Sequence, residues 1–274
     1  MIIDSHQHFW NYNPQRDIWI NDSMEVIRKD FLPNDLKPIL QENGVDGCIA
    51  VQADQTEMET EFLLECAKHN PFIKGVVGWV DLIDENLEDR LKHFTTNPLF
   101  KGVRHIVQSE KDDYLLRKDV QHGIGLLSKY NLTFDILVFP KQLPAAVQMV
   151  KKFPKQTFIL DHIAKPNISE PMTELWKTNI TALSKFKNVH CKLSGMVTET
   201  KDFCFIKEDF TPFIDHVFSC FGANRILFGS DWPVCLLAAD YTKVITLILE
   251  YLNEYSAHIK SQVLGINAIK IYNL

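Results

Sequence analysis

Eight short runs rich in apolar and β-branched residues recur along the 274-residue chain, and stretches with helical spacing separate them. The runs begin near residues 2, 47, 74, 101, 133, 157, 189 and 225. Most of them are almost continuously apolar, which is typical of strands covered on both faces. The alternation predicts parallel strands joined by crossover helices. Eight such units predict a closed (β/α)8 barrel that forms a single domain over residues 1–274.

A doubly wound open sheet is the alternative architecture. That fold normally places a glycine-rich phosphate loop after its first strand. Here the first strand runs into "DSHQHFW", which carries no glycine. The barrel is therefore favoured. The long segment that follows, residues 10–33, is predicted to be a functional loop over the barrel mouth.

Composition excludes several classes of partner. The net charge is -6 with both signs mixed along the chain, so a nucleic-acid partner is not expected. No apolar stretch approaches the roughly 18 residues of a membrane span, and no signal peptide is recognisable. The six cysteines are scattered without a C-x-x-C pair, which predicts reduced thiols and a cytoplasmic location. Assembly into a homo-oligomer is left open by the sequence.

Polar residues interrupt the predicted strands at their carboxyl ends, where a barrel carries its active site. His6 and His8 are two apart, so both point to one side if the strand stays regular. Together with His162 and Asp231 from other strands, they are suitable ligands for a divalent cation. An isolated H-x-H is as often structural, and His162 could be a core histidine. The shared position of these residues favours a functional site.

Other predicted strands end or pass through polar groups of the same kind. Asp135 and Lys192 are also consistent with a structural ion pair inside the barrel, because buried charges need partners. The further candidates at strand ends are Gln52, Trp79, Asp81, Arg104, His105, Asp161, Ser194, Ser230 and Trp232.

Five segments taken together resemble the amidohydrolase superfamily, and within it the branch of sugar lactonases that act on L-fucono- and L-rhamnonolactones. They are "IDSHQHFW", "GVRH", "LDHIAKP", "CKLSG" and "FGSDWPV". The resemblance implies a distorted (β/α)8 barrel. It also implies that Asp231 handles the proton of the attacking water and that Arg104 binds substrate. His6, His8, His162 and Asp231 would be the metal ligands.

The resemblance implies at most one zinc or other divalent ion, and it leaves open whether activity requires it. Two-metal members of the superfamily carry a bridging lysine or glutamate on the fourth strand and a histidine on the fifth. This chain has Arg104 and His105 on the fourth predicted strand and Asp135 on the fifth. A bridged pair of metals is therefore not expected.

We therefore predict a hydrolase that opens the ester ring of a sugar lactone by Asp-assisted attack of water. Asp231, His162 and Arg104 are the predicted catalytic residues. One alternative is a metal-dependent decarboxylase or hydratase of the same superfamily, and another is a non-catalytic barrel that binds sugar or zinc. The predicted substrate-binding residues are Trp10, Gln52, His105, Asp135, Lys192 and Trp232.

Overall fold

The computed structural model describes all 274 residues, and it contains one sheet of eight parallel strands in sequential order. This order confirms the predicted (β/α)8 barrel. All eight strands lie at the positions predicted from the apolar runs. The strands are β1 Ile3–Gln7, β2 Gly47–Val51, β3 Ile73–Gly78, β4 Phe100–Ile106, β5 Thr133–Leu137, β6 Phe158–Leu160, β7 Val189–Leu193 and β8 Ile226–Phe228.

A helix follows each strand and covers the outside of the barrel. Local sequence sets their ends: Thr56 and Asp240 cap the helices that follow them through their side chains, and Gly44 adopts a left-handed φ of +66° after the first helix. The helices are α1 Pro33–Glu42, α2 Glu57–His69, α3 Leu87–Thr95, α4 Lys118–Leu127, α5 Leu143–Lys152, α6 Glu174–Ser184, α7 Thr211–Phe221, α8 Tyr241–Tyr251, α9 Ala257–Ser261 and α10 Asn267–Tyr272.

The barrel closes between β1 and the chain that follows β8. The Ser5 hydroxyl donates to the Phe228 carbonyl, and the Asp231 amide donates to the His6 carbonyl at 2.8 Å. The His8 amide donates to the Trp232 carbonyl at 2.7 Å. These bonds replace a regular β1–β8 ladder, so they place Asp231 directly beside the two N-terminal histidines.

β1 is not regular. Its register against β2 shifts between Asp4 and Gln7, which marks an inserted residue. Ile3 packs in the apolar cluster that includes Tyr272 of α10, while the Asp4 carboxylate accepts a hydrogen bond from the Tyr241 hydroxyl of α8. His6 lies within this irregularity and His8 just after it, and both side chains reach Asp231 at the barrel mouth.

The segment between β1 and α1 lies over the mouth, as predicted. Trp10 and Phe31 form an antiparallel bridge at its two ends, and the Trp10 indole donates to the Lys29 carbonyl at 2.9 Å. Trp19 packs edge-on against Trp10. The loop therefore presents an aromatic inner face to the space above the strands.

No helix of the chain has both the length and the apolar character needed to cross a membrane.

Candidate active site

Three imidazoles surround one carboxylate oxygen at the barrel mouth. The Asp231 Oδ1 atom lies 3.2 Å from His8 Nε2, 3.7 Å from His6 Nε2 and 3.9 Å from His162 Nε2. All four side chains are buried. The structure therefore brings together four residues that are up to 225 positions apart in the chain.

Left-handed backbone conformations orient two of these side chains, His162 and Asp231. Residues 162 to 165 all have positive φ, between +48° and +62°, and Asp231 has a φ of +59°. Such values are costly for residues other than glycine and are typical of functional sites. Gly195 makes room for His162, because a Cβ there would lie 2.4 Å from the His162 Nδ1 atom. The "CKLSG" segment thus ends in glycine for a steric reason.

The tautomer of His8 is fixed by its surroundings. Its Nδ1 atom lies 2.7 Å from the Val51 carbonyl, which can only accept a hydrogen bond. Nδ1 must therefore carry a proton. The Nε2 atom then faces the Asp231 carboxylate at 3.2 Å, so a proton or a cation has to lie between two groups that otherwise both present lone pairs.

Burial keeps the other two imidazoles neutral. It lowers the pKa of His6 and of His162 well below the usual value, and Asp161 and Asp231 only partly oppose that effect. Burial alone would raise the pKa of Asp231, but the neighbouring His162 and His8 rings hold it below its usual range. Neutral imidazoles and an ionised carboxylate are the protonation states that ligate a metal.

Arg104 lies on the inner side of this cluster. Its Nη1 atom is 3.2 Å from His6 Nε2 and 3.2 Å from Asp161 Oδ2. Its Nε donates to the Gln52 side-chain oxygen at 3.0 Å, and its Nη2 also bonds the Gln52 carbonyl. The guanidinium is therefore held in one orientation with one edge toward the cluster.

A cavity of about 430 Å³ opens above these groups. His8, Arg104, His162 and Asp231 contribute polar atoms to its wall. The long loop contributes Trp10, Trp19 and Met24, and further apolar lining comes from Ile106, Leu137, Phe203, Val234 and Leu237.

This geometry agrees with three comparisons to known proteins. The family model described as Amidohydrolase matches residues 3–274. The chain belongs to the amidohydrolase family. It is 35% identical over 288 residues to a protein of Burkholderia multivorans named L-fucono-1,5-lactonase, covering 99% of this chain and 96% of that one. A Burkholderia ambifaria protein of the same name is 35% identical over 243 residues, covering 87% of this chain and 82% of that one.

A solved amidohydrolase from Burkholderia multivorans with bound Zn superposes with a TM-score of 0.96. It is 35% identical in sequence, and the match covers 100% of this chain and 99% of that chain. In the chain described here, which has its own His6, His8 and Asp231, one potential ligand atom from each of these residues lies within 4.8 Å of the other two. Nitrogen and carboxylate oxygen donors at this spacing, together with the fixed His8 tautomer, fit a divalent cation.

Two predicted substrate contacts lie below the cavity of this amidohydrolase instead of in it. Lys192 Nζ is 2.6 Å from Asp135 Oδ2 and 3.0 Å from Asp161 Oδ1, and both Lys192 and Asp135 are fully buried. The Tyr272 hydroxyl also donates to Asp135. The structural ion pair, which the sequence left open, is what the structure contains, and neither Asp135 nor Lys192 lines the cavity.

Three other predicted contacts also lie outside the cavity lining. Trp232 is buried and packs edge-on against Phe9 and Phe31, because the chain after β8 turns it behind the mouth. Gln52 is buried, and its side-chain oxygen accepts a hydrogen bond from the Arg104 guanidinium at 2.8 Å. His105 stacks on Tyr114 with ring centroids 4.8 Å apart and pairs with Glu110. These three side chains support the wall rather than forming it.

Several residues that line the cavity are not among the site residues predicted from the sequence. Lys165 and Glu199 are the charged ones among them, and Gln108 and Trp19 also contribute. Lys165 lies within the "LDHIAKP" segment, three positions after His162. Its closeness to that histidine in the sequence is the signal that could have placed Lys165 at the site. Glu199 lies in a short turn after β7 without any recognisable pattern.

Proposed function

We propose that this protein is a lactonase that opens the ester ring of a sugar lactone to the free sugar acid, with L-fucono-1,5-lactone as the first candidate substrate. The observation that carries the proposal is the Asp231 carboxylate, which lies among three imidazoles and lines the cavity. Two relatives at 35% identity that are named L-fucono-1,5-lactonases support it.

The cavity has the chemistry that a sugar ring requires. Trp10 and Trp19 present apolar faces, which suit the C–H face of a pyranose-like ring. Arg104, Lys165 and Glu199 supply charged hydrogen-bonding groups for its polar rim. A volume of about 430 Å³ lies within the range of small-molecule sites.

Asp231 is the proton acceptor in the proposed reaction. Its carboxylate takes a proton from the water that attacks the lactone carbonyl carbon. Arg104 and His162 face the same space and stabilise the negative charge that grows on the carbonyl oxygen. When the intermediate collapses, the bond from the carbonyl carbon to the ring oxygen breaks. The proton held by Asp231 passes to that oxygen, and the product is the open-chain hydroxy acid.

We further propose that His6, His8, His162 and Asp231 hold one zinc ion. When bound, zinc supplies a Lewis acid beside the reacting carbonyl. The His8–Asp231 contact supports a cation here, since two lone pairs otherwise face each other at 3.2 Å. The Zn-bound relative from Burkholderia multivorans adds support. The location proposed is cytoplasmic, in keeping with six cysteines that form no disulfide.

A single assay separates the proposed function from its alternatives. Purified protein is mixed with a panel of sugar lactones and aromatic acids in weakly buffered pH indicator, with and without chelator. Lactone opening releases acid, whereas decarboxylation consumes it. We expect acid release with L-fucono-1,5-lactone. Alkalinisation with an aromatic acid would support the decarboxylase instead, and tight binding of a sugar acid without any turnover would support the non-catalytic barrel.

A further inference from the structure

An ion pair on the cavity wall takes no part in the proton transfers and bond changes described above. Lys165 ends the left-handed run that begins at His162, and Glu199 ends a turn after β7. The Lys165 Nζ and Glu199 Oε1 atoms are 2.5 Å apart. Their side chains are 16% and 18% exposed, and both line the cavity that contains Asp231.

The pair is not needed to join the two loops that carry it. The Ile168 amide already donates to the Glu199 carbonyl at 2.9 Å, and the Lys201 amide donates to the Ser169 hydroxyl at 2.7 Å. A partly buried ion pair contributes little net stability, because desolvation of the two charges offsets their attraction. A charged pair kept at this place therefore calls for a reason other than loop anchoring.

The pair retains unused hydrogen-bonding capacity on the cavity side. The Lys165 ammonium has three donor hydrogens, and its side chain makes one hydrogen bond, to Glu199 Oε1. No protein group donates to the Glu199 Oε2 atom. A donor and an acceptor that lie side by side match a hydroxyl group, which can accept from the ammonium while donating to the carboxylate. The combined charge of the pair is zero, which suits a neutral polyol.

We propose that Lys165 and Glu199 form a hydroxyl-recognition subsite that makes the enzyme prefer polyhydroxylated lactones over unsubstituted lactones of the same ring size. The inference rests on the proposed function. The aromatic side chains of Trp10 and Trp19 can pack against the apolar face of a ring, but they do not distinguish a lactone with hydroxyl groups from one without them. Side chains that bond substrate hydroxyls reject an analogue lacking them, since their own polar groups are then left unpaired.

The test compares L-fucono-1,5-lactone with δ-valerolactone in the wild type and in Glu199→Gln. The loss of a charged hydrogen bond predicts a decrease of about 10- to 100-fold in kcat/KM for the sugar lactone, mostly through a higher KM. We expect the loss for the sugar lactone to exceed that for δ-valerolactone at least tenfold. Lys165→Met should give the same ratio, and it replaces Glu199→Gln if that variant does not fold.

Glu250→Gln is the matched control, because Glu250 pairs with Lys207 at 3.1 Å on the surface. It should leave both rates unchanged. Equal losses on the two lactones, or no loss on either, would overturn the subsite while leaving the lactonase intact. If the wild type opens neither lactone, the proposed function fails and the subsite falls with it.

Discussion

At the scale of single residues, the Arg104 guanidinium contacts His6, one of the proposed cation ligands. The His6 Nδ1 atom lies 3.3 Å from Lys192 Nζ and 3.4 Å from Asp161 Oδ1. The His6 Nε2 atom lies 3.2 Å from Arg104 Nη1, a group that can only donate a hydrogen bond. The guanidinium therefore competes for the lone pair that a metal would use. It also places a positive charge next to the ligands.

Replacing Arg104 should consequently strengthen zinc binding. In Arg104→Gln, the competing donor and its charge are removed together, and we expect the Kd for zinc to fall by about tenfold or more. Isothermal titration calorimetry against a competing chelator measures this without reference to activity. Arg90→Gln, which breaks a pair with Glu57 away from the mouth, is the control. Unchanged or weaker zinc binding in Arg104→Gln would show that the guanidinium does not compete.

At the scale of the elements, strand β7 carries a pH-sensitive side chain near its amino-terminal end, two residues before Lys192 and on the same face of the strand. Burial, together with Arg225 and Lys270, lowers the pKa of His190 to about 4, and its Nδ1 atom has no hydrogen-bond partner. The unfolded chain therefore binds a proton between pH 6.5 and about 4 that the folded chain rejects. This contribution to stability is present above pH 6.5 and is lost as the pH falls toward 4.

His190→Gln should reduce that loss. Urea unfolding at pH 7 and pH 5 measures the free energy of unfolding of both proteins. We expect the decrease between the two pH values to be smaller in His190→Gln by about 1 kcal/mol, after allowance for the partial exposure of the ring. Equal decreases in the variant and the wild type would mean that the His190 pKa is not lowered in the folded state.

The elements also show how far the sequence could predict the site. Apolar runs fixed all eight strands, and their polar ends identified His6, His8, His162 and Asp231, because a barrel gathers these ends at one mouth. The sequence does not show how deep in the barrel an inward-facing residue lies, nor which way the chain turns after a strand ends. Lys192 and Trp232 were therefore expected in the cavity, whereas a buried charge cluster and a turn behind the mouth hold them.

At the scale of the whole molecule, a buried charge cluster fills the barrel beneath the active site. It links Lys192 to Asp135 and Asp161, and Tyr272 of the last helix closes it from below. Removing one member leaves the others buried without partners. We expect Lys192→Met to lower the free energy of unfolding by about 3–5 kcal/mol.

Urea denaturation measures this loss, with the exposed Lys177→Met as a control that should change stability by no more than about 0.5 kcal/mol. A stable Lys192→Met protein with a raised KM would return Lys192 to the substrate-binding role that its sequence position first suggested.

The most direct test of the whole account is the rate of lactone opening by Asp231→Asn. Amide for carboxylate preserves the size of the side chain but removes the proton acceptor. With L-fucono-1,5-lactone in a pH-stat, we expect kcat/KM to fall by about 100- to 10,000-fold while the melting temperature stays within a few degrees of that of the wild type. The exposed Asp89→Asn should leave the rate unchanged. Near-normal turnover by a folded Asp231→Asn protein would contradict the proposal that this carboxylate drives the reaction.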